Sequence, residues 1–307
     1  MRMTQTAEVF DELDFLQNEV RQVGQAIEQV MASFLPFDDT KDQPLYDAMA
    51  YACLTGGKRL RPFLLCSVAR LYNVPSGESL HAGAALEFIH CSSLIHDDLP
   101  CMDDSDLRRG QPSCHVQFSE AIALLAGDAL ISLAFEVLSH PNTHTSAEKR
   151  CVLMRMLSQV AGPRGIMQGQ ALDILGGNRT DTLEGLIDVH NLKTGSMIEF
   201  ACEAGALLGG ASSRDLKLFK KFGTKVGLIY QITDDLLDTV GYQDQMGKPV
   251  LQDIRLDKAN FVTHLGLEGV RSYAADLRQE AVDILHQMGF KHSPLPHLID
   301  LIRSRQN

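Results

Sequence analysis

Residues 230–238 read Tyr230-Gln231-Ile232-Thr233-Asp234-Asp235-Leu236-Leu237-Asp238. They lie near the end of a segment, 213–240, whose apolar residues recur at three and four, the helical period. On a helix Asp234 and Asp238 stand one turn apart on one face with Asp235 nearby, while Leu236 and Leu237 turn elsewhere. The flanks, 226–232 and 236–240, are too apolar for an outer helix. The acids therefore belong to a core helix rather than to a solvated face.

The same period outlines a helix through Phe10, Leu13, Leu16, Val20, Val23, Ile27 and Val30, and further helices at 80–99, 120–138, 147–159, 182–208, 271–288 and 296–303. Alternating strand patterns are missing. Punctuation is short, as in Pro75-Ser76-Gly77, Pro141-Asn142 and Gly162-Pro163. No linker, tandem repeat or change of composition divides the chain. These features predict one all-α domain over residues 1–307, a bundle whose core helices surround a cavity, with loop at 241–260.

The chain has 307 residues and a formal net charge of −11, which argues against nucleic acid and against a polybasic membrane patch. Apolar residues make up 45%, enough for a large core. The seven cysteines show no Cys-x-x-Cys spacing, so they read as reduced thiols of a cytoplasmic protein. The N-terminal 25 residues lack the apolar core of a signal peptide. The most apolar run, 121–138, contains Gly127, Asp128, Ser132 and Glu136, and reads as a core helix, not a membrane span.

A second acid cluster runs from Leu94 through His96, Asp97, Asp98, Pro100, Asp103, Asp104 and Asp106 to Arg108, Arg109 and Gly110. Like charges beside apolar surface repel with little screening, so a cation must sit among them. Hard oxygen ligands suit Mg²⁺, which takes one or two carboxylates and leaves other positions to water and phosphate. Asp97 and Asp103 are six apart, which an unbroken helix would not align. Pro100 should end the helix and re-aim Asp103 toward Asp97. A calcium loop lacks its central Gly and distal Glu here. Arg108 and Arg109 offer forks that match phosphate oxygens. The segment Gly56-Gly57-Lys58-Arg59-Leu60-Arg61-Pro62 adds three cations and two permissive glycines, without the order of a P-loop.

Taken in order, these segments resemble the short-chain trans-isoprenyl diphosphate synthases, and most of all the bacterial farnesyl diphosphate synthases. The match runs from about residue 45 onward and includes Gly127-Asp128-Ala129, Gln168-Gly169-Gln170 and Lys193-Thr194-Gly195. The resemblance implies an isoprenoid-synthase bundle around a deep central cavity, a homodimer, and about three Mg²⁺ held by Asp97, Asp98 and Asp103 on one wall and Asp234 and Asp238 on the other. It implies that Arg108, Lys193, Gln231 and Lys248 hold an allylic diphosphate, and that Gly57, Lys58, Arg61, His90 and Arg109 hold isopentenyl diphosphate. Thr194 and Gln231 would stabilise the allylic cation. Diphosphate leaves carbon slowly unless its charge is neutralised, and the cation left behind must not meet water. A terpene cyclase would carry one Asp-rich motif opposite an Asn/Ser/Glu motif, and a non-catalytic partner subunit would have lost one of the two.

Two departures stand out. After the second acid motif the family often shows Gly-Lys-Ser/Thr and Tyr-Pro, where this chain has Asp257-Lys258-Ala259-Asn260-Phe261-Val262. Lys258 is kept, without its flanking Gly, hydroxyl and Pro. Five residues before Asp97 the bacterial farnesyl enzymes carry a large aromatic, where this chain has Ser92. Five helical residues rise roughly 7.5 Å, so Ser92 should lie deep along the pocket wall. Cys91, Phe88 or Phe118 could form the floor instead. The expected product is C15, with C20 as the alternative.

Overall fold

The computed structural model describes residues 2–35, 43–176, 179–240 and 259–305. Among these, helix is nearly the only regular structure. In chain order the helices are α1 (Arg2–Ser33), α2 (Pro44–Leu54), α3 (Leu60–Leu71), α4 (Ser76–Asp97), α5 (Cys114–Gln117), α6 (Glu120–Ser139), α7 (Ala147–Ala161), α8 (Ile166–Leu175), α9 (Leu183–His190), α10 (Ser196–Leu208), α11 (Ser213–Val240), α12 (Phe261–Gln287) and α13 (Leu295–Ser304). A two-residue antiparallel ladder pairs Leu107 with Pro112 and Arg108 with Gln111, the one strand pair among the described residues.

The packing order is α6 on α4, α4 on α3, α3 on α10, α10 on α11 and α11 on α12. The two helices that end in acids, α4 and α11, thus stand on either side of α3 and α10. Phe63, Phe88, Phe200, Phe219, Phe222 and Phe261 are fully buried at the joints. Close approach needs missing side chains. A Cβ on Gly205 of α10 would lie 2.5 Å from the Leu65 carbonyl oxygen of α3.

Several sequence expectations needed correction. The helix expected over 182–208 is interrupted by a five-residue π-helix, Asn191–Gly195. Helices α2, α3 and α8 had no period to announce them. In α3 every residue from Pro62 to Ala69 is buried, so no polar face exists to set a rhythm. The loop expected over 241–260 lies outside the described residues except for Ala259 and Asn260. Asn260 caps α12: its side chain accepts from the Thr263 amide, and its own backbone amide donates to Thr263 Oγ1.

Gly205→Ala is expected to lower stability by about 1–3 kcal/mol, because the new methyl meets backbone that cannot turn aside. Thermal melts of the pair check this, and an unchanged melting temperature would show that α3 and α10 can separate at no cost.

Candidate active site

Pro100 does what its chemistry predicts. Helix α4 stops at Asp97, and the chain folds back so that the Asp103 amide donates to the Asp97 carbonyl at 2.9 Å. The Asp104 amide donates to Leu99 and that of Ser105 to Asp98, each at 3.2 Å. Asp97 and Asp103 end up as neighbours, and the Asp103 charge helps to raise Asp97. Burial first, and then Asp103 and Asp98, push Asp97 up to about 6, against the opposing pull of Lys193 and Arg108. Asp98 turns inward and accepts a fork from Arg108, whose Nε lies 3.0 Å and 3.1 Å from the two carboxylate oxygens. Burial raises Asp98, and Arg108 holds that rise in check.

The π-helix sets the third wall. Wider turns of this kind are common at functional sites. Lys193 donates from Nζ to Asp173 of α8 at 2.6 Å, and Thr194 donates from Oγ1 to the Gln231 amide oxygen of α11 at 3.1 Å. Burial lowers the Lys193 amine, but Asp173, Asp97 and Asp103 together raise it above its ordinary value. Gly169 and Gly227 admit the turn: a Cβ on either would lie 2.3 Å from the Lys193 nitrogen or 2.8 Å from the Gly195 Cα.

In α11, Gln231 also donates to Asp235 at 2.9 Å, and Asp235 accepts from the Phe261 amide at 2.8 Å. Asp235, 2% exposed, therefore braces α12, while Asp234 faces outward. Asp238 is buried one turn on from Asp234.

The glycine-rich segment meets the first cluster directly. Arg109, in the left-handed region at φ 55°, donates from Nη1 to the Gly56 carbonyl. A Cβ on Gly57 would lie 2.9 Å from the Arg109 guanidinium, and φ there is 141°. Arg59 differs from expectation. It is 3% exposed and points into the core, donating to Glu87 at 2.7 Å, to Glu28 at 2.9 Å and to the Cys53 carbonyl. It anchors the segment rather than offering charge to a ligand. Lys58 and Gly57 remain on the surface.

Arg61 of α3 lies 3.2 Å from Nε2 of His90 on α4 and 5.4 Å from the Tyr230 ring of α11. Burial first, then Arg61, Arg109 and Arg108, drive His90 well below its usual range, so its ring is neutral and Nε2 accepts from Arg61. Nε of Arg61 and Nδ1 of His90 are buried without a hydrogen-bond partner.

Sequence reasoning missed Arg305. Its guanidinium covers the Tyr230 ring at 3.9 Å and reaches the Asp234 carboxylate at 2.8 Å and the Tyr230 carbonyl at 2.7 Å. Nothing local could have found a partner 71 positions away. Lys248 and Lys258 lie outside the described residues.

Beyond Asp97 the wall turns apolar. A cavity of about 320 Å³ is lined by Ile89, Ser92, Ser93 and His96 of α4 with Asp97 at one end, and by Met102, Ile131, Ala161, Ile166, Met167, Gln170, Ala171 and Ile174. Ser92 lines it, as expected. Cys91, Phe88 and Phe118 do not, so none of them is its floor. Along α4 the lining residue furthest from Asp97 is Ile89, two turns below it.

Acid rows, paired cations and an apolar cavity opening at the acids make a site for a charged head on a hydrocarbon tail. The polyprenyl synthetase family model matches residues 42–287. The chain belongs to the polyprenyl synthetase family. It is 41% identical over 291 residues to a farnesyl diphosphate synthase of Escherichia coli, covering 93% of this chain and 96% of that protein. It is 39% identical over 275 residues to one of Haemophilus influenzae, covering 89% of this chain and 92% of that protein. The fold matches a crystal structure described as an FPP/GFPP synthase from Zymomonas mobilis with a TM-score of 0.83, at 38% identity, over 94% of this chain and 98% of that one. This member of the family is a prenyltransferase, and it condenses isopentenyl diphosphate with allylic diphosphates.

Family members generally use Mg²⁺, and the donor set fits it: hard oxygens, one of them, Asp97, raised by burial first and then by its acidic neighbours. Among the described residues no three acidic, histidine or cysteine side chains already form a metal cage.

In the metal-free protein the raised Asp97 has a definite sign. Its folded value of about 6 lies above the ordinary carboxyl value of 3.8. Its contribution to stability is complete below the unfolded value and is lost as pH rises through about 6. Asp97→Asn should therefore stabilise the metal-free protein by on the order of 1–3 kcal/mol near pH 7 and by little near pH 4. Melts across that range check it, and an effect independent of pH would contradict the burial assigned to this carboxylate.

Proposed function

We propose that the chain is a Mg²⁺-dependent farnesyl diphosphate synthase, a homodimer of single-domain, 307-residue chains working in the cytoplasm. The observation that carries the reading is the π-helix. It ties Lys193 electrostatically to the Asp97–Asp103 pair on one side and Thr194 to Gln231 on the other, so that both acid motifs serve one site. The farnesyl product is supported by the farnesyl synthases among the relatives.

Asp97, Asp98, Asp103, Asp234 and Asp238 would hold Mg²⁺, about three ions by resemblance to the family. When bound, the metal neutralises charge on the leaving diphosphate. Arg108, Lys193, Gln231 and Lys248 hold the allylic diphosphate. Gly57, Lys58, Arg61, His90 and Arg109 hold that of isopentenyl diphosphate, and Lys258 is assigned to substrate binding by resemblance to the family. The unpartnered nitrogens of Arg61 and His90 support this assignment, since an anion would satisfy both. The C1–O bond of the allylic substrate breaks, and its electron pair leaves with the diphosphate. The double bond of isopentenyl diphosphate supplies the pair for the new C1–C4 bond, and a proton is lost to the departing diphosphate. Thr194 and Gln231 stabilise the cation, and the apolar cavity keeps it from water. The chain acts first on dimethylallyl and then on geranyl diphosphate.

Two chains would meet through α6. Leu124 and Leu125 are about half exposed there, beside Val116 of α5. Exposed apolar clusters of this sort mark association surfaces. Sedimentation should show a dimer, and Leu125→Glu should shift it toward monomer; a monomeric parent protein would refute this assembly.

Incubation with dimethylallyl and isopentenyl diphosphates should yield a C15 chain, abolished by chelation of divalent ions. A dominant C20 product, or activity that survives chelation, would overturn the proposal. Should C20 dominate, Ser92→Tyr, which fills the cavity from α4 and restores the aromatic of the bacterial farnesyl enzymes, should shorten the product toward C15.

A further inference from the structure

Gln170 does not match the cavity around it. It is 7% exposed, and neither its amide oxygen nor its amide nitrogen has a hydrogen-bond partner. Its neighbours along the lining include Ile89, Ile131, Ile166, Met167 and Ile174. Burying an amide with both ends unpaired forfeits its hydrogen bonds to water and destabilises the fold. A leucine or methionine would fill the space without that cost.

The register of α8 fixes its depth. The Lys193 backbone sits against Gly169, while the Lys193 ammonium reaches Asp173 at 2.6 Å. The lysine side chain therefore runs along α8 toward the acids. Gln170 lies three residues before Asp173 on the same face, about one turn, or ~5 Å, below the ammonium. If Lys193 meets the diphosphate, Gln170 stands level with the first carbons of the prenyl chain.

We propose that Gln170 is a catalytic residue of the condensation, its carbonyl oxygen facing C1–C3 of the allylic substrate; this rests on the prenyl-transfer reading above. When the C1–O bond breaks, both electrons leave with the diphosphate, and the positive charge spreads over C1 and C3. An amide can present either end, and that charge selects the oxygen. A fixed dipole in an apolar cavity acts with little screening, and its orientation is set before the bond breaks. The residue type fits as well. A carboxylate at this depth would capture the cation as an ester, whereas a neutral amide is a far weaker nucleophile.

The test compares wild type with Gln170→Met in the presence of Mg²⁺, using two geranyl analogues. One is the thiolodiphosphate, which does not ionise. The other is an ammonium analogue carrying a positive nitrogen in place of C3. Gln170→Met should bind the first within about twofold and the second about tenfold more weakly. Its kcat should fall about 10–100-fold, with KM for isopentenyl diphosphate unchanged and the melting temperature equal or higher. Equal weakening of both analogues, or an unchanged kcat, would overturn the role. Should the methionine variant fail to fold, Gln170→Asn, which withdraws the amide by one methylene, must show the same selective loss in smaller degree or the role is refuted. Wild-type turnover in the same assay separates the two levels. Its absence would refute prenyl transfer itself, whereas intact turnover with an unselective Gln170→Met would refute only the part given to Gln170.

Discussion

Asp97 sits at the mouth of a hydrocarbon-lined cavity with Asp98 and Asp103 beside it. Burial there works against its charge, and Lys193 and Arg108 only partly offset the penalty. Much of the surrounding architecture answers this problem. Arg108 pairs with Asp98, and Asp173 holds Lys193 across from it. The backbone turn at Pro100 keeps Asp103 within reach instead of letting repulsion spread the loop. Uncompensated negative charge is then an asset, because a divalent cation can bind without displacing a matched set of protein cations.

The second acid motif is arranged differently. Asp235 is spent on holding the start of α12 and on orienting Gln231. Asp234 pairs with Arg305, whose guanidinium also stacks on Tyr230. Arg61 lies over the same ring. Two cations and one aromatic therefore link α3, α11 and the residue just after α13 at the edge of the acid wall. Cation–π contacts of this kind strengthen as water is excluded.

Much of this was legible in the sequence because it is local. The helix period gave α4, α6 and α11, the spacing of Asp234 and Asp238 gave their shared face, and Pro100 gave the fold-back. What escaped was non-local or aperiodic. The uniformly buried α3 has no polar stripe to mark it. Arg59 looks like one more phosphate-binding cation until Glu28 and Glu87 arrive from other helices. Arg305 has no neighbourhood that hints at Asp234. The unpaired state of Gln170 shows only when α4, α6 and α8 are assembled round it.

The wide turn at Asn191–Gly195 also limits how the gene can vary. Removing one residue would let the backbone relax to ordinary α-helical pairing and swing one flank by roughly 100° relative to the other. Lys193 and Thr194 could not then both keep their present partners on α8 and α11. A single-codon deletion would separate the two halves of the site at once.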